Sequence, residues 1–149
     1  MRRLLTALVV VPLAVLPLAA CDPVVPAGQV VYCTVMADPP VPDAAGKVMR
    51  GIGWFVCDRP GPDMLTVTVA LQRRDAPSTW TTVVSQEFVL HGRDATRDRT
   101  AGQRTRTVTA PCATGVFRAA VGSRAVQGTA HRDFAINSPQ VKNPCRPFS

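Results

Sequence analysis

Apolar and polar residues alternate most regularly between Met64 and Arg73. Every second position from Leu65 to Leu71 is apolar, and the positions between them hold threonine or alanine. This two-residue period is typical of a β-strand that buries one face. Turn-forming residues bound the segment on both sides. The same criteria predict seven strands in all, at 29–36, 48–57, 64–73, 80–90, 103–110, 116–121 and 128–136.

The composition of the chain favours strands over helices. From Cys21 to Ser149 there are 18 valines and 13 threonines, against 3 leucines and 2 isoleucines. β-Branched side chains lose rotamer freedom in helices and fit a pleated surface. Seven short strands separated by turns predict an all-β, two-sheet sandwich rather than a closed barrel.

The alternation also predicts which side chains form the core. Trp54 and Trp80 each lie within an apolar strand, so we interpret them as core residues; a ligand-stacking platform would need exposed rings. Gly51 and Gly53 interrupt the second strand, which indicates a bulge or a close backbone approach. The predicted core consists of Val31, Cys33, Val35, Ile52, Trp54, Val56, Leu65, Val67, Val69, Leu71, Trp80, Val108, Phe117, Ala119, Val121 and Phe134.

The N-terminal segment has the pattern of an export signal. Arg2 and Arg3 precede an uncharged apolar run that two prolines interrupt. The run is shorter than the roughly 20 apolar residues of a membrane-spanning helix, and proline weakens a helix interior. The chain is therefore expected to divide into a signal-peptide helix, a tether and one sandwich domain, at 1–20, 21–28 and 29–149.

Leu18-Ala19-Ala20-Cys21 ends this signal segment. It resembles the lipobox of bacterial lipoprotein precursors, in which leucine and two small residues precede a lipidated cysteine. The resemblance implies that Cys21 becomes the acylated first residue of the mature chain, which would hold an extracytoplasmic protein on the cell membrane. Ordinary signal peptidase cleavage, after Ala20 or Ala27, is the alternative and would release a soluble secreted protein.

The chain has five cysteines, and an odd count leaves one thiol over in an exported protein. Lipidation of Cys21 leaves four, which predicts two disulfides in one of three connectivities. In a sandwich the second and sixth strands run roughly the same way. Cys57, which ends one, and Cys112, which opens the other, then lie about 20 Å apart, too far to bond. We therefore expect the pairs Cys33–Cys57 and Cys112–Cys145.

Four short segments carry a resemblance to known folds: 56–58 (VCD), 65–73 (LTVTVALQR), 80–83 (WTTV) and 112–118 (CATGVFR). They resemble the small immunoglobulin-like sandwiches of exported actinobacterial proteins of unknown role. The resemblance implies an immunoglobulin-like fold of about seven antiparallel strands, and it implies no activity. An antibody-type bridge between the sheets is not expected, because Cys57 ends its strand whereas Cys112 precedes its own.

Positive charge is concentrated in one segment. The whole chain has 17 basic and 10 acidic residues; without Arg2 and Arg3 the balance is 15 to 10, or +5. Residues 91–106 hold five arginines and two aspartates. Such a loop suits an anionic envelope polymer, lipid headgroup or protein, and the alternative is a solvated connection. Nucleic acid is not expected, because interleaved aromatic residues are missing. The candidate anion-binding residues are Arg93, Arg97, Arg99, Arg104 and Arg106.

Catalytic chemistry has few candidates, because the chain has two histidines and one glutamate. His91 with Asp94 and His131 with Asp133 are close in sequence, but no nucleophile motif such as G-x-S-x-G accompanies them. No C-x-x-C pair is present, so neither a metal site nor a cofactor is predicted. Four aspartates are assigned to turns, because their spacing does not match a calcium loop: Asp38, Asp43, Asp58 and Asp63.

These features together predict a non-enzymatic, membrane-anchored cell-envelope lipoprotein with a binding or structural role. The alternative is a soluble secreted effector or inhibitor. An exposed aromatic or arginine patch at one end of the sandwich would favour a binding role. A pocket joining a histidine to a carboxylate and a hydroxyl would instead favour a hydrolase.

Overall fold

A computed structural model describes residues 30–145, and this part of the chain consists of β-strands, two short 3-10 helices and turns. The predicted signal and the whole predicted tether, including Cys21, lie outside the described residues. Within 30–145 no helix is both long and apolar enough to cross a bilayer. The strands are β1 (Cys33–Pro42), β2 (Val48–Cys57), β3 (Met64–Ala76), β4 (Thr79–Leu90), β5 (Thr105–Pro111), β6 (Val116–Gln127), β7 (Ala130–Asn137) and β8 (Val141–Lys142). The two 3-10 helices, Gly92–Ala95 and Gly102–Arg104, lie between β4 and β5.

The strands form two antiparallel sheets. The three-stranded sheet has the order β1-β2-β5, and the five-stranded sheet has the order β4-β3-β6-β7, with the short β8 paired to the start of β6. Immunoglobulin sandwiches likewise place strands one, two and five in one sheet and strands three, six and seven in the other. The predicted all-β, two-sheet sandwich is confirmed, with β8 added to the seven expected strands.

The core lies between the facing sides of the two sheets. Alternation along β3 is confirmed, because Leu65, Val67, Val69 and Leu71 are all fully buried. Tight packing of such side chains is the main source of stability in a small domain. The other confirmed core residues are Val35, Val108, Phe117, Ala119 and Val121.

The prediction for β2 is wrong by one residue. Ile52, Trp54 and Val56, expected in the core, are half-buried on the outer face of the three-stranded sheet. Met49 and Phe55 are buried in their place. Because side chains of a strand alternate between faces, a shift of one position exchanges its two sides completely.

Two glycines explain this reversal. Gly51 and Gly53 are on the inner face of β2, where the other sheet approaches most closely. A Cβ on Gly53 would lie 2.8 Å from Cγ2 of Val69 and 2.9 Å from Cγ2 of Val121; one on Gly51 would lie 2.8 Å from Cγ of Leu71. Side chains of the five-stranded sheet fill the space that β2 leaves empty, so the bulky residues of β2 lie on the outer face.

Four other expected core residues lie at the margins of the sandwich. Trp80 is half-buried near the start of β4, and Phe134 of β7 is 43% exposed. Both strands are edges of the five-stranded sheet, so their side chains have neighbours on one side only. Val31 and Cys33 are partly buried and pack against the core from β1 and the residues before it.

Both predicted disulfides are confirmed. Cys33 and Cys57 lie directly opposite each other in the β1–β2 register, with Cα atoms 4.0 Å apart. Cys112 follows β5 and Cys145 follows β8, with Cα atoms 5.8 Å apart, so this bond joins the two sheets at one end. Neither pair is an antibody-type bridge, which joins the second and sixth strands. Cys33–Cys57 lies within one sheet, and Cys112 and Cys145 both lie outside β2 and β6.

Candidate binding surfaces

The two ends of the sandwich can be distinguished by where the tether joins. Just before β1, the carbonyl of Tyr32 accepts a 2.9 Å hydrogen bond from the amide of Asp58, just after β2. The β6–β7 turn is at the same end, because the amide of Gly128 donates to a carboxylate oxygen of Asp63 at 2.6 Å. We call this the tether end. The opposite end holds the last residues of β3 and the first residues of β4 and β6.

The arginine loop, residues 91–106, begins at the tether end, where Thr96 forms an isolated β-bridge with Cys57. Aspartates pair with two arginines of its outer part: Arg99 with Asp94, and Arg97 with Asp58 (Nη2 to Oδ1, 3.8 Å). In a third ion pair, Arg59 of the β2–β3 turn binds Asp98 of the loop. Exposed pairs of this kind stabilise a fold little, but each cancels a charge that a ligand would otherwise meet. Arg93 is exposed on the same loop.

The last two arginines of the loop have contacts within the domain. Arg104 donates through Nε to the carbonyl of Arg99 at 3.0 Å. The guanidinium carbon of Arg106 lies 5.2 Å from the ring centre of Phe55 and 5.6 Å from that of Phe88. Its Nη1 donates to two backbone carbonyls at 2.8 and 2.9 Å. Arg106 therefore covers the edge of the core between β4 and β5. The five candidate arginines do not converge on one site.

A second group of cations lies on the outer face of the five-stranded sheet, at the end opposite the tether. Arg74 is paired with Trp80 across β3 and β4, Arg118 with Gln72 across β6 and β3, and Lys142 with Val116 across β8 and β6. Partners in a β-ladder share a face, so all of these side chains are on one surface. We call this surface the basic strip: Gln72, Arg74, Trp80, Arg118, Gln140 and Lys142.

Contacts within the basic strip hold its arginines in place. The guanidinium carbon of Arg118 lies 4.1 Å from the centre of the Trp80 ring, and its Nε donates to Oε1 of Gln72 at 2.8 Å. Nη1 of Arg74 donates to Oε1 of Gln140 at 3.1 Å. A cation over an aromatic face keeps its charge, and an amide oxygen bonds it without neutralising it.

The one carboxylate beside the strip is bound by other groups. Asp75 follows Arg74 in the chain, but it accepts hydrogen bonds from the hydroxyl of Thr81 and, at 3.1 Å, from Nε of Arg73. These two bonds lower the pKa of Asp75 below its ordinary value of 3.8, and the bond from Thr81 has the larger effect. With Arg73 and Asp75 cancelling, the three cations of the strip remain uncompensated among the described residues.

The outer face of the three-stranded sheet holds an apolar cluster. Trp54, Ile52 and Val56 are on it, next to Met36 of β1, which is 49% exposed. Nε1 of Trp54 donates to Oδ2 of Asp38 at 2.5 Å, which fixes the orientation of the ring. Asp38 therefore lies in β1 and holds a side chain on its surface, in contrast to its predicted place in a turn.

The two histidine–aspartate pairs of the sequence have different partners in the fold. Nδ1 of His91 lies 2.9 Å from the carbonyl oxygen of Asp63, whereas Asp94 pairs with an arginine. Asp133 lies 3.9 Å from Nε of Arg124, with His131 two residues away on β7. Among residues 30–145, no three histidine, cysteine, aspartate or glutamate side chains come together as metal ligands.

No protein-family model matches this chain, and no curated protein matches it. The basic strip was not predicted from the sequence, because its cations lie on three strands that are far apart in the chain. The one local signal is the alternation along β3, which shows which of its residues face the core. Once Leu71 is placed in the core, alternation directs Gln72 and Arg74 outward, but their partners on β6 and β8 follow only from the register.

Proposed function

We propose that this protein is an extracytoplasmic, lipid-anchored binding domain of the cell envelope, without enzymatic activity. Its two disulfides support the compartment, because such bonds form and persist in oxidising environments outside the cytoplasm. Cys21 supplies the anchor in this proposal. Acyl chains on that cysteine hold the domain at the membrane surface, since each buried methylene contributes about 0.8 kcal/mol.

The observation that carries the binding role is the distance between the tether end and the basic strip. β3 runs from one end to the other with 13 residues, a length of about 40 Å. Tyr32, just before β1, lies at the tether end, whereas Arg74 and Lys142 lie at the opposite end. An anchor at Cys21 would therefore leave the charged surface free to face away from the membrane, where an envelope ligand can reach it.

The alternative is the same domain released by ordinary signal peptidase as a soluble effector or inhibitor. The basic strip is compatible with both fates, because it belongs to the folded domain and not to the tether. The state of Cys21 separates them: in one case it is the acylated first residue, and in the other it is removed or carries a free thiol.

Intact-mass measurement of the mature protein tests the anchor. We expect a chain that begins at Cys21, carries several hundred daltons of acyl groups, and has no free thiol. The matched control is Cys21→Ser, which should be neither acylated nor retained in the membrane fraction. A wild-type chain cut after Ala27, or an unmodified Cys21, would contradict the anchor and favour the secreted alternative.

A further inference from the structure

We propose that the basic strip binds a polyanionic chain with repeated phosphate or carboxylate groups. The inference rests on the binding role proposed above, but it does not depend on acylation of Cys21. The three cations belong to neighbouring strands of one sheet: Arg74 on β3, Arg118 on β6 and Lys142 on β8. The charged ends spread further than these strands, because the Arg118 guanidinium lies over Trp80 of β4, whereas Lys142 is on β8. With strands spaced by about 4.8 Å, the cations form a row across roughly 14 Å of surface.

Arg118 is prepared to bind an oxyanion. The Trp80 ring supports its guanidinium from one side, and Gln72 accepts the bond from Nε. Both Nη groups then remain as a planar pair of donors, which is the geometry that a phosphate or carboxylate group bonds with two parallel hydrogen bonds. Less side-chain entropy is lost on binding, because these contacts already fix the rotamer.

The row favours an extended ligand over a single small ion. One phosphate group, with oxygens about 2.5–3 Å from its donors, cannot contact cations spread over roughly 14 Å. A chain with an anionic group every few ångströms contacts all three. The amides of Gln72 and Gln140, which hydrogen-bond Arg118 and Arg74, suit polar groups of such a chain.

Charge on this surface also favours an anion over other partners. Asp75 is bound to Thr81 and Arg73. The other carboxylate on the outer face near β3, Glu87, is opposite Thr68. That is four residues from Gln72, or about 13 Å along the sheet. Charges at that distance are largely screened at physiological salt, where the screening length is about 8 Å.

The test is calorimetric titration of the mature protein with three probes: inorganic polyphosphate, polygalacturonate and orthophosphate. Comparison of the first two identifies whether phosphate or carboxylate is preferred. The key variant is Arg118→Gln/Lys142→Gln. Its matched control is Arg93→Gln/Arg97→Gln, which removes the same charge from the arginine loop. Thermal unfolding verifies that each variant folds, and Lys142→Gln alone, at an exposed position, provides a second test without risk to the fold.

We expect the strip variant to weaken binding of the preferred polymer about tenfold or more, the control less than about twofold, and Lys142→Gln by an intermediate factor. Orthophosphate should bind far more weakly than either polymer. Equal weakening by strip and loop variants, binding of neither polymer, or equal affinity for orthophosphate would overturn the proposal. Because acylation is read separately by mass, failure of the anchor and failure of this inference give different results.

Discussion

The arginine loop and the basic strip contain similar residues but differ in what surrounds each charge. In the loop, Asp58 and Asp94 each pair with an arginine, and Arg106 packs on two phenylalanine rings. In the strip, Arg118 contacts an aromatic ring and an amide, neither of which cancels its charge. A run of arginines in the sequence thus proves a poor guide to charge on the surface.

The difference has a simple physical origin. Arg99 pairs with Asp94 five residues away in the loop, and the neighbouring turn supplies Asp58 and Arg59 as partners of Arg97 and Asp98. Residues on separate strands are brought together by the register, and the identity of their neighbours is set by the fold. A cluster without compensating charge persists only where the sequences of several strands leave carboxylates out, as β6 and β8 do beside Arg74.

The largest effect on stability is expected from Arg106, which ends the charged segment and lies in β5. Arg106→Ala removes two cation–π contacts, two hydrogen bonds to carbonyls and the alkyl cover over Phe55. We expect a loss of about 2 kcal/mol in the free energy of unfolding, measured by urea denaturation. If the variant is as stable as the wild type, Arg106 does not cover the core and is available to a ligand. The loop and the strip would then not differ in the way described.

The second prediction concerns variants that give the arginine loop uncompensated charge like that of the basic strip. In the Arg118→Gln/Lys142→Gln background, the substitutions Asp58→Asn, Asp94→Asn and Asp98→Asn remove the partners of three arginines. The loop should then gain affinity for polyphosphate by about fivefold, because its charge is no longer cancelled. Titration at low salt measures this gain, and the same background with all three aspartates present is the reference. Unchanged affinity would mean that neutralisation is not what distinguishes the regions.

A smaller effect is expected where an exposed ion pair is broken. Arg97→Gln removes the partner of Asp58 across a contact of 3.8 Å, and both side chains are largely exposed. The free energy of unfolding should change by less than about 0.5 kcal/mol. A loss comparable to that of Arg106→Ala would show that the outer part of the loop is structural as well.

The smallest effect concerns Asp75, the carboxylate beside the strip. Hydrogen bonds from Thr81 and Arg73 lower its pKa, so the folded state holds the ionised form more strongly than the unfolded state does. Its contribution to stability is therefore present above the ordinary pKa of 3.8 and is lost as the pH falls through the lowered value. The melting temperatures of wild type and Asp75→Asn should differ slightly near neutral pH and converge in acid. A gap that widens in acid would contradict the assigned bonds.

Much of the fold could be predicted from the sequence, because the signals are local. Strict alternation located β3 and its buried face, and strand direction selected the pairs Cys33–Cys57 and Cys112–Cys145. The buried face of β2 could not be predicted in this way. Its bulky residues, Trp54 among them, indicated the wrong face, since the deciding factor was the space that Gly53 leaves for side chains of the other sheet.

The candidate site was less predictable than the fold. The arginine loop is visible in the sequence as a run of charge, but the ion partner Arg59 lies in another turn and Phe55 lies in β2. The basic strip has no continuous segment at all. Its assembly requires the pairing of Arg118 with Gln72 and of Lys142 with Val116, which only the register supplies.

The most direct test of the account is a backbone amide NMR titration of the mature protein with polyphosphate. We expect the NMR signals of the amides of Gln72, Arg118 and Lys142 to shift with increasing polymer, while those of residues 93–99 stay unchanged. Shifts confined to residues 93–99, with the strip unaffected, would contradict the claim that uncompensated charge, and not the number of arginines, determines where this domain binds.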